Sequence, residues 1–239
     1  MGKAVAAAVG NEVRIVAGVD VNAASIDASD FPIYESIREF SDKADVIVDF
    51  SHHSALPSLL DYAKATKTPV VVATTGHTDE ELALMNEAAS EVAIFHSGNF
   101  SIGINLIINL AKQAARTLGA DFDIEIIEKH HNKKLDAPSG TALMIANAVA
   151  DEREESEYIY DRHSVRKARE PKEIGIHSVR GGSIVGEHEV IFAGANEVVS
   201  ISHSAASREI FANGALRAAI YLAGKSAGLY SMTDLIEGK

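Results

Sequence analysis

Residues 128–142 hold the densest group of side chains suited to chemistry in this sequence. The run begins at the end of a predicted strand and finishes at the start of a predicted helix. Ser139 or Thr141 can cap that helix, and Gly140 lets a ligand approach the backbone closely. Amides at a helix N-terminus, together with the helix dipole, form a pocket for a carboxylate. Two imidazoles and the Lys134 ammonium supply protons and positive charge beside it, so the run predicts a site that binds and protonates an anionic substrate.

Three other interpretations of this run stay open. Four side chains have the chemistry of metal ligands: Glu128, His130, His131 and Asp136. Adjacent histidines point in different directions on most backbones, however, and nearby lysines oppose a cation, so we expect no metal. A nucleophilic Ser139 lacks the nucleophile-elbow pattern. The third interpretation is an ordinary surface loop followed by a well-capped helix.

The elements around this run predict a mixed α+β domain. Strand-like segments lie at 122–128, 174–179, 183–192 and 197–204, with one clear helix among them at 141–150. The apolar stretch 102–118 is interrupted by polar residues, so it predicts a buried or half-buried helix and not a membrane span. The highly charged stretch 151–173 predicts a solvated helix or loop, to which we assign no chemistry.

The first hundred residues instead alternate short apolar strands with helices. After an Ala-rich opening helix, strands are predicted at 13–19, 45–50, 69–75 and 92–95. One helix is predicted at 54–66, with Pro57 in its first turn, and another from Thr78, which forms a capping box with Glu81, to about residue 90. This alternation predicts a doubly wound parallel sheet. A last helix at 208–223 returns to it, so we expect one domain of residues 1–100 and 209–239 and a second of 101–208.

Several residues of the first domain have the pattern of a dinucleotide site. Gly2, a helix, and a strand ending at Asp20 match the second half of such a unit, whose acidic residue binds the ribose hydroxyls. The residues ahead of Gly2 contain neither the strand nor the two further glycines of a complete unit. Short residues also follow two predicted parallel strands, where ligands of open α/β sheets bind, although ordinary turn chemistry explains them equally well: Ala73, Thr74, Thr75, Gly76, Ser97, Gly98, Asn99 and Phe100. His52 and His53 predict a solvated loop.

Composition limits the partners. The 239 residues carry 22 Lys and Arg against 34 Asp and Glu, a formal net charge of −12. Such a surface repels nucleic acid and anionic membranes, so we expect small molecules or further subunits as partners. The chain has no Cys, which excludes disulfides, thiolate metal sites and Cys nucleophiles. The opening apolar run is too short for a signal peptide, and we expect a cytoplasmic protein.

With these residues in view, the chain resembles the dihydrodipicolinate reductases. Residues 128–142 are close to that family's signature. Residues 73–76 resemble its Gly-Thr-Thr-Gly, with Ala73 in place of the first glycine, and residues 97–101 resemble its Asn-Phe-Ser turn. Residues 176–180 and 207–215 resemble its later segments. The matches occur in the family's order and extend over nearly the whole chain.

The resemblance implies an enzyme of the diaminopimelate route to lysine, which transfers hydride from NADH or NADPH to 4-hydroxy-tetrahydrodipicolinate, a cyclic dicarboxylate, and yields tetrahydrodipicolinate. It implies a Rossmann-like cofactor domain and a homotetramer joined through the sheets of the second domain. His130 is then the principal acid/base and Lys134 a second proton donor. The implied substrate contacts are His131, Gly140, Thr141 and Arg208, and the implied cofactor contacts are Gly2, Asp20, Ala73, Thr74, Thr75, Ser97, Gly98, Asn99 and Phe100.

Two departures from the family pattern matter. The family begins with a strand and a Gly-x-x-Gly-x-x-Gly loop, of which Gly2 aligns with the end. Either the recorded start is too late or this form lacks a central strand, and we expect the chain as given to bind its cofactor poorly. Val21 stands where many members have Arg beside the 2′-phosphate of NADPH. Asp20 followed by Val21 therefore favours NADH, since a carboxylate repels that phosphate.

Three other functions are kept as alternatives. One is a different nicotinamide-dependent oxidoreductase that acts on an amino-acid semialdehyde. Another is a truncated, cofactor-impaired oligomer that binds dicarboxylates without catalysis. The last is a metal-dependent hydrolase.

Overall fold

The computed structural model describes residues 1–26 and 29–238. The chain divides into two compact units, the first made of Met1–Ser101 with Glu209–Lys239 and the second of Ile102–Arg208. None of the helices in the described ranges has both the length and the apolar character needed to cross a bilayer.

The first unit contains a four-stranded, all-parallel sheet. Its strands, in spatial order β11-β5-β4-β3, are β3 (Ile47–Asp49), β4 (Val70–Val72), β5 (Ala93–His96) and β11 (Gly228–Tyr230). The central strand β4 is fully buried, because helices cover both faces of such a sheet and its residues must be apolar on both sides. The helices of this unit are α1 (Gly2–Ala7), α2 (Leu56–Thr66), α3 (Asp79–Ala88), α6 (Glu209–Leu222) and α7 (Met232–Glu237). The predicted parallel-sheet, Rossmann-like class is confirmed, while β11 and α7 were not predicted.

The strand predicted at 13–19 is wrong for most of its length. Only β1 (Gly18–Val19) is a strand, and it pairs with β2 (Ile33–Tyr34) in a separate two-stranded sheet. Residues 13–17 are partly exposed and irregular. A β-branched run forms a strand only where a neighbouring strand supplies hydrogen-bond partners for its amides and carbonyls, and in the described part of the chain only β2 does so.

Local signals placed the helices correctly. Thr78 Oγ1 accepts a hydrogen bond from the amide of Glu81, whose carboxylate accepts one from the amide of Thr78, so the predicted capping box starts α3. Pro57 lies in the first turn of α2. Helix α6 packs with Gly214 against the backbone of Phe100, where a side chain at position 214 would collide. This glycine therefore lets α6 approach the turn at 97–101.

The second unit is a five-stranded mixed sheet with two helices on one face. In spatial order β10-β9-β6-β8-β7, its strands are β6 (Asp123–His130), β7 (Glu157–Ile159), β8 (Glu173–Arg180), β9 (Gly186–Ala193) and β10 (Val198–Ala205). Strands β6, β7 and β8 run parallel, and β9 and β10 are antiparallel to their neighbours. Helices α4 (Ile102–Leu118) and α5 (Gly140–Ala150) bury the inward-facing side chains in one core, which includes Ile107, Ile124, Ile126, Ile145, Ile174, Val190 and Phe192. The predicted mixed domain is confirmed.

The charged stretch at 151–173 is more ordered than predicted, because it contains the edge strand β7 and is anchored by ion pairs. Arg162 contacts Glu173 and Glu125, each at 2.6 Å. Glu173 is buried, and hydrogen bonds from Arg162 hold its pKa at about 2 against the effect of burial. Gly175 leaves room for Glu125, whose carboxylate would collide with any side chain there. Most of the stretch is exposed loop, as predicted, and only the short edge strand β7 and the buried Glu173 depart from that prediction.

Candidate active site

His130 is the last residue of β6 and lies beside a buried carboxylate. Side chains two positions apart on a strand share a face, so Glu128 and His130 point to the same side of the sheet as the core residues Ile124 and Ile126. Nδ1 of His130 donates a hydrogen bond of 2.6 Å to Oε2 of Glu128, which has no solvent-exposed surface. The imidazole is itself mostly buried, and its Nε2 lies against Gly186 of β9. The ring therefore has one fixed partner.

Arg180 neutralises this carboxylate from the neighbouring strand. In the parallel register of β6 and β8, Arg180 stands opposite His130, and its guanidinium donates to both oxygens of Glu128, at 2.7 and 2.8 Å. Burial opposes ionisation of Glu128, but hydrogen bonds from Arg180, Ser178, His130 and the amide of Ser139 outweigh it and lower its pKa to about 2. Glu128 is therefore an anion throughout the neutral range, held by a bidentate arginine.

A second histidine connects β9 to the loop. His188 stands opposite Glu128 in the antiparallel register, and its Nε2 lies 3.0 Å from Oγ of Ser139. Burial, reinforced by the nearby His130, lowers the pKa of His188 to about 4. His188 is therefore neutral at neutral pH and adds no charge beside His130.

The loop after β6 leads directly into the first turn of α5. Oγ of Ser139 accepts a hydrogen bond from the amide of Ala142 and is the N-cap, so of the two residues able to cap, Ser139 does. Gly140 and Thr141 begin the helix, at the positive end of its dipole. His131 opens the loop with a buried Nδ1 that lacks a hydrogen-bond partner in the described residues. Nζ of Lys134 lies 2.9 Å from Asp136. The structure thus brings five of the predicted residues onto one strand end, loop and helix start: His130, His131, Lys134, Gly140 and Thr141.

The other interpretations of this loop find less support. Glu128 is fully engaged by Arg180 and His130, and across residues 1–26 and 29–238 no group of three or more His, Asp or Glu side chains is arranged to hold a metal ion. Ser139 is occupied as a helix cap.

The predicted substrate residue Arg208 lies on the exposed segment directly before α6.

The predicted cofactor residues of the first unit lie mainly at the carboxyl ends of β4 and β5. Thr74 donates a hydrogen bond of 2.7 Å to the buried carboxylate of Asp49, which ends β3. Ser97 donates to the carbonyl of Asn99, and the buried ring of Phe100 packs against Phe95. Ala73, Thr75 and Gly98 complete these two turns. This edge of a parallel sheet, lined by short side chains, fits the nicotinamide end of a dinucleotide.

Asp20 and Gly2 do not belong to the strands or turns of the four-stranded sheet. Asp20 follows β1, which belongs to the separate two-stranded sheet, and its Oδ1 accepts a hydrogen bond from the amide of Asn22. Gly2 begins the six-residue helix α1, whose N-cap Met1 makes no side-chain capping bond. The described residues therefore offer a carboxylate suited to ribose hydroxyls. No glycine-rich turn between a strand and a helix is found among them at the pyrophosphate position.

The expectation that His52 and His53 form a solvated loop is wrong for His53. Its Nδ1 donates to Glu81 of α3 at 2.9 Å, and this contact lowers the pKa of the glutamate. His52 instead contacts Ser54 at the start of a short 3-10 turn. The solvated interpretation failed for His53 because Glu81, in the first turn of α3, lies within hydrogen-bond distance of its ring.

The sequence did not predict that three side chains would lie together beside the loop of residues 128–142: Glu128, Arg180 and His188. Glu128 was considered only as a metal ligand, although its spacing of two from His130 on a predicted strand already indicates a shared face. Arg180 and His188 come from distant positions, and their contacts follow from the strand register.

Comparison with known proteins agrees with this geometry. A family model described as "Dihydrodipicolinate reductase, C-terminus" matches residues 103–236, and one described as "Dihydrodipicolinate reductase, N-terminus" matches residues 1–100. The chain belongs to the dihydrodipicolinate reductase family. This reductase family uses a nicotinamide cofactor.

Relatives and a solved structure match over nearly the whole chain. The 4-hydroxy-tetrahydrodipicolinate reductase of Caldanaerobacter subterraneus subsp. tengcongensis is 55% identical over 240 residues, covering 99% of this chain and 94% of the relative. That of Clostridium novyi is 50% identical and covers 100% and 95%. The dipicolinate-bound dihydrodipicolinate reductase from Paenisporosarcina sp. TG-14 superposes with a TM-score of 0.80 at 26% identity, covering 96% of this chain and 92% of that one.

Proposed function

We propose that this protein catalyses the NAD(P)H-dependent reduction of 4-hydroxy-tetrahydrodipicolinate to tetrahydrodipicolinate, in the diaminopimelate route to lysine. The observation that carries the proposal is the loop from β6 to α5, which joins His130, paired with Glu128, to His131, Lys134 and the first turn of a helix. Relatives named for this activity at 50–55% identity support it.

The loop has the parts needed to bind a ring with two carboxylates. The amides of Gly140 and Thr141, at the positive end of the α5 dipole, suit one carboxylate. His131 and Lys134 supply donors for the other carboxylate. When the substrate replaces Asp136 as the partner of Lys134, the ammonium group stays paired with an anion. Arg208 is a further carboxylate partner in this proposal. Dipicolinate bound to the Paenisporosarcina enzyme is a ligand of this type.

Nicotinamide cofactor, when bound, supplies the hydride. This chain's own task is to hold the dicarboxylate while its 4-hydroxyl group leaves as water, and to deliver a proton to the carbanion or enamine that remains once hydride has added to the resulting unsaturated imine. His130 suits that task as general acid, with Nδ1 fixed on Glu128 and Nε2 as the transferring atom. Lys134 stabilises developing negative charge and serves as a second proton donor.

The first unit holds the cofactor in this proposal. Its nicotinamide end contacts Ala73 through Thr75 and Ser97 through Phe100, and its ribose contacts Asp20, with Gly2 at the pyrophosphate. NADH is preferred over NADPH, because the Asp20 carboxylate repels a 2′-phosphate and the exposed Val21 offers no compensating charge.

The protein is a homotetramer in this proposal, joined through the second unit's sheet. One face of that sheet is covered by α4 and α5, while the opposite face carries half-exposed Ile127 and Ile191 together with charged residues. Light scattering coupled to size-exclusion chromatography would report four chains per particle. A monomer would contradict the assembly without affecting the assignment of the reaction.

Oxidation of NADH in the presence of freshly generated 4-hydroxy-tetrahydrodipicolinate tests the function. We expect turnover with this substrate and none with an amino-acid semialdehyde as control. Dicarboxylate binding without NADH oxidation, even at saturating cofactor, would identify a non-catalytic binding protein. Oxidation driven only by the aldehyde would indicate a different oxidoreductase.

A further inference from the structure

We propose that Glu128 is a positioning residue, which holds His130 in the tautomer that carries its proton on Nδ1 and leaves Nε2 to transfer the catalytic proton. The inference deepens the proposed function and rests on it for the catalytic role of His130. The position of the ring and its tautomer, however, are properties of the free protein and can be tested apart from any reaction.

The buried carboxylate is surrounded by donors on both oxygens. Oε1 accepts from Nη2 of Arg180 at 2.7 Å and from the amide of Ser139 at 3.1 Å. Oε2 accepts from Nη1 of Arg180 at 2.8 Å and from Nδ1 of His130 at 2.6 Å. An ionised carboxylate can only accept, so Nδ1 must be the donor whatever the charge of the ring.

This arrangement reverses the preference of a free neutral imidazole, which favours the proton on Nε2. With Nδ1 committed to Glu128, the lone pair of the neutral ring lies on Nε2, the atom that can take up a proton and pass it on. Gly186 leaves the space that the ring needs, since a side chain there would come within 3.1 Å of Nε2. The carboxylate therefore acts on chemistry through the imidazole and not by touching substrate.

Other charged groups around the ring do not replace Glu128. From β8, Arg180 is already paired with the carboxylate, and from β9, His188 is held neutral by burial. Lys134 from the loop is paired with Asp136, and His203 of β10 lies beyond His188. Glu128 is the anion in contact with the imidazole, so it is the group that decides which ring nitrogen carries the proton.

Glu128→Gln separates this role from simple packing. The amide keeps the shape of the carboxylate but has one acceptor and one donor end. Its oxygen is required at the Oε1 position, where a backbone amide and a guanidinium both donate. The NH₂ group then takes the place of Oε2, between Nη1 of Arg180 and Nδ1 of His130. Nη1 keeps its other acceptor, the carbonyl of Val179, whereas Nδ1 of the histidine becomes an acceptor and the ring proton moves to Nε2.

The experiment measures tautomer and catalysis together. Long-range ¹H–¹⁵N spectra of ¹⁵N-histidine-labelled protein, assigned by comparison with His130→Ala, report which ring nitrogen carries the proton. We expect the Nδ1–H form in the unmodified protein and the Nε2–H form in Glu128→Gln. In the same variant we expect kcat to fall roughly 100-fold. This lies between the loss of activity that follows removal of an outer-shell partner and the larger loss caused by a wrong catalytic tautomer. KM should change less than about threefold.

The pH profile gives a readout that a purely structural role would not move. A positively charged acid is lost as pH rises, and removing the neighbouring anion destabilises it, so the alkaline limb of kcat moves to lower pH in Glu128→Gln. Glu187→Gln is the matched control, since Glu187 lies on β9 and makes a half-exposed ion pair with Lys129. It should leave the tautomer, kcat and pH profile unchanged.

Each outcome is decisive. An Nε2–H ring in the unmodified protein overturns the proposal even if the variant fails to fold. A variant that keeps the Nδ1–H form and the original pH profile, with only a lower melting temperature, also overturns it. If the unmodified protein does not turn over the substrate, the proposed function fails, while the tautomer spectra still judge the positioning role.

Discussion

Replacing Gly214 with Ala tests how α6 supports the predicted cofactor turn at 97–101. A Cβ at this position would meet the carbonyl group of Phe100, whose carbon would lie at 2.8 Å and whose oxygen would be nearer still. Ordinary contacts begin at 3.4 Å, and the obstacle is backbone, so helix and turn must separate by well over an ångström. Such overpacking costs about 3 kcal/mol, whereas Ala in place of Gly within a helix stabilises by about 1 kcal/mol. The net effect is a loss of about 2 kcal/mol.

For a chain of this size that loss lowers Tm by about 4–8 °C, which differential scanning calorimetry would measure. We also expect a higher KM for NADH, because the displaced turn carries Ser97, Asn99 and Phe100. Gly10→Ala is the control, since nothing lies within 4 Å of a Cβ there, and its Tm should stay within about 2 °C. A Gly214→Ala protein as stable as the original, with unchanged KM, would refute the close packing of α6 on this turn.

Further predictions follow from the second unit. His130→Ala should lower kcat by about 10²–10⁴-fold with a small change in KM; a change confined to substrate affinity in steady-state kinetics would contradict its role as acid. Burial lowers the pKa of His188 from 6.5 to about 4, so its contribution to stability is complete above pH 6.5 and is lost as pH falls toward 4. Between pH 6.5 and 5 the free energy of unfolding falls by about 2 kcal/mol on this account. Urea unfolding of His188→Gln should therefore show a fall over this pH range that is smaller by that amount. An equal fall in both proteins would count against a neutral, buried His188.

Much of the local structure was predictable because short-range chemistry specifies it. The capping box of Thr78 and Glu81, the Pro57 in the first turn of α2 and the apolar run of β4 each act within a few residues. The same holds for the loop of residues 128–142, whose strand end, polar turn and Ser139 cap are contiguous. The family resemblance rests on such contiguous runs, and the family models confirm it.

Predictions that depended on partners far along the chain fared worse. Residues 13–17 have the composition of a strand but lack a neighbour to pair with in the described structure. His53 meets Glu81, 28 residues further along the chain, only because the fold brings the first turn of α3 beside it. The segment containing Arg162 and Arg169 is ordered by carboxylates on β6 and β8 that its own composition does not reveal.

The amino-acid sequence by itself therefore determined the chemical inventory of the site: two histidines, a lysine and a capped helix start on one loop. Only the tertiary structure decided how that inventory is tuned. The register of β6 against β8 and β9 sets Arg180 and His188 beside Glu128, and burial of that carboxylate fixes the orientation of His130. Electrostatic interactions are strong only where water is excluded. Packed strands and helices exclude water, whereas a short run of residues cannot do so by itself.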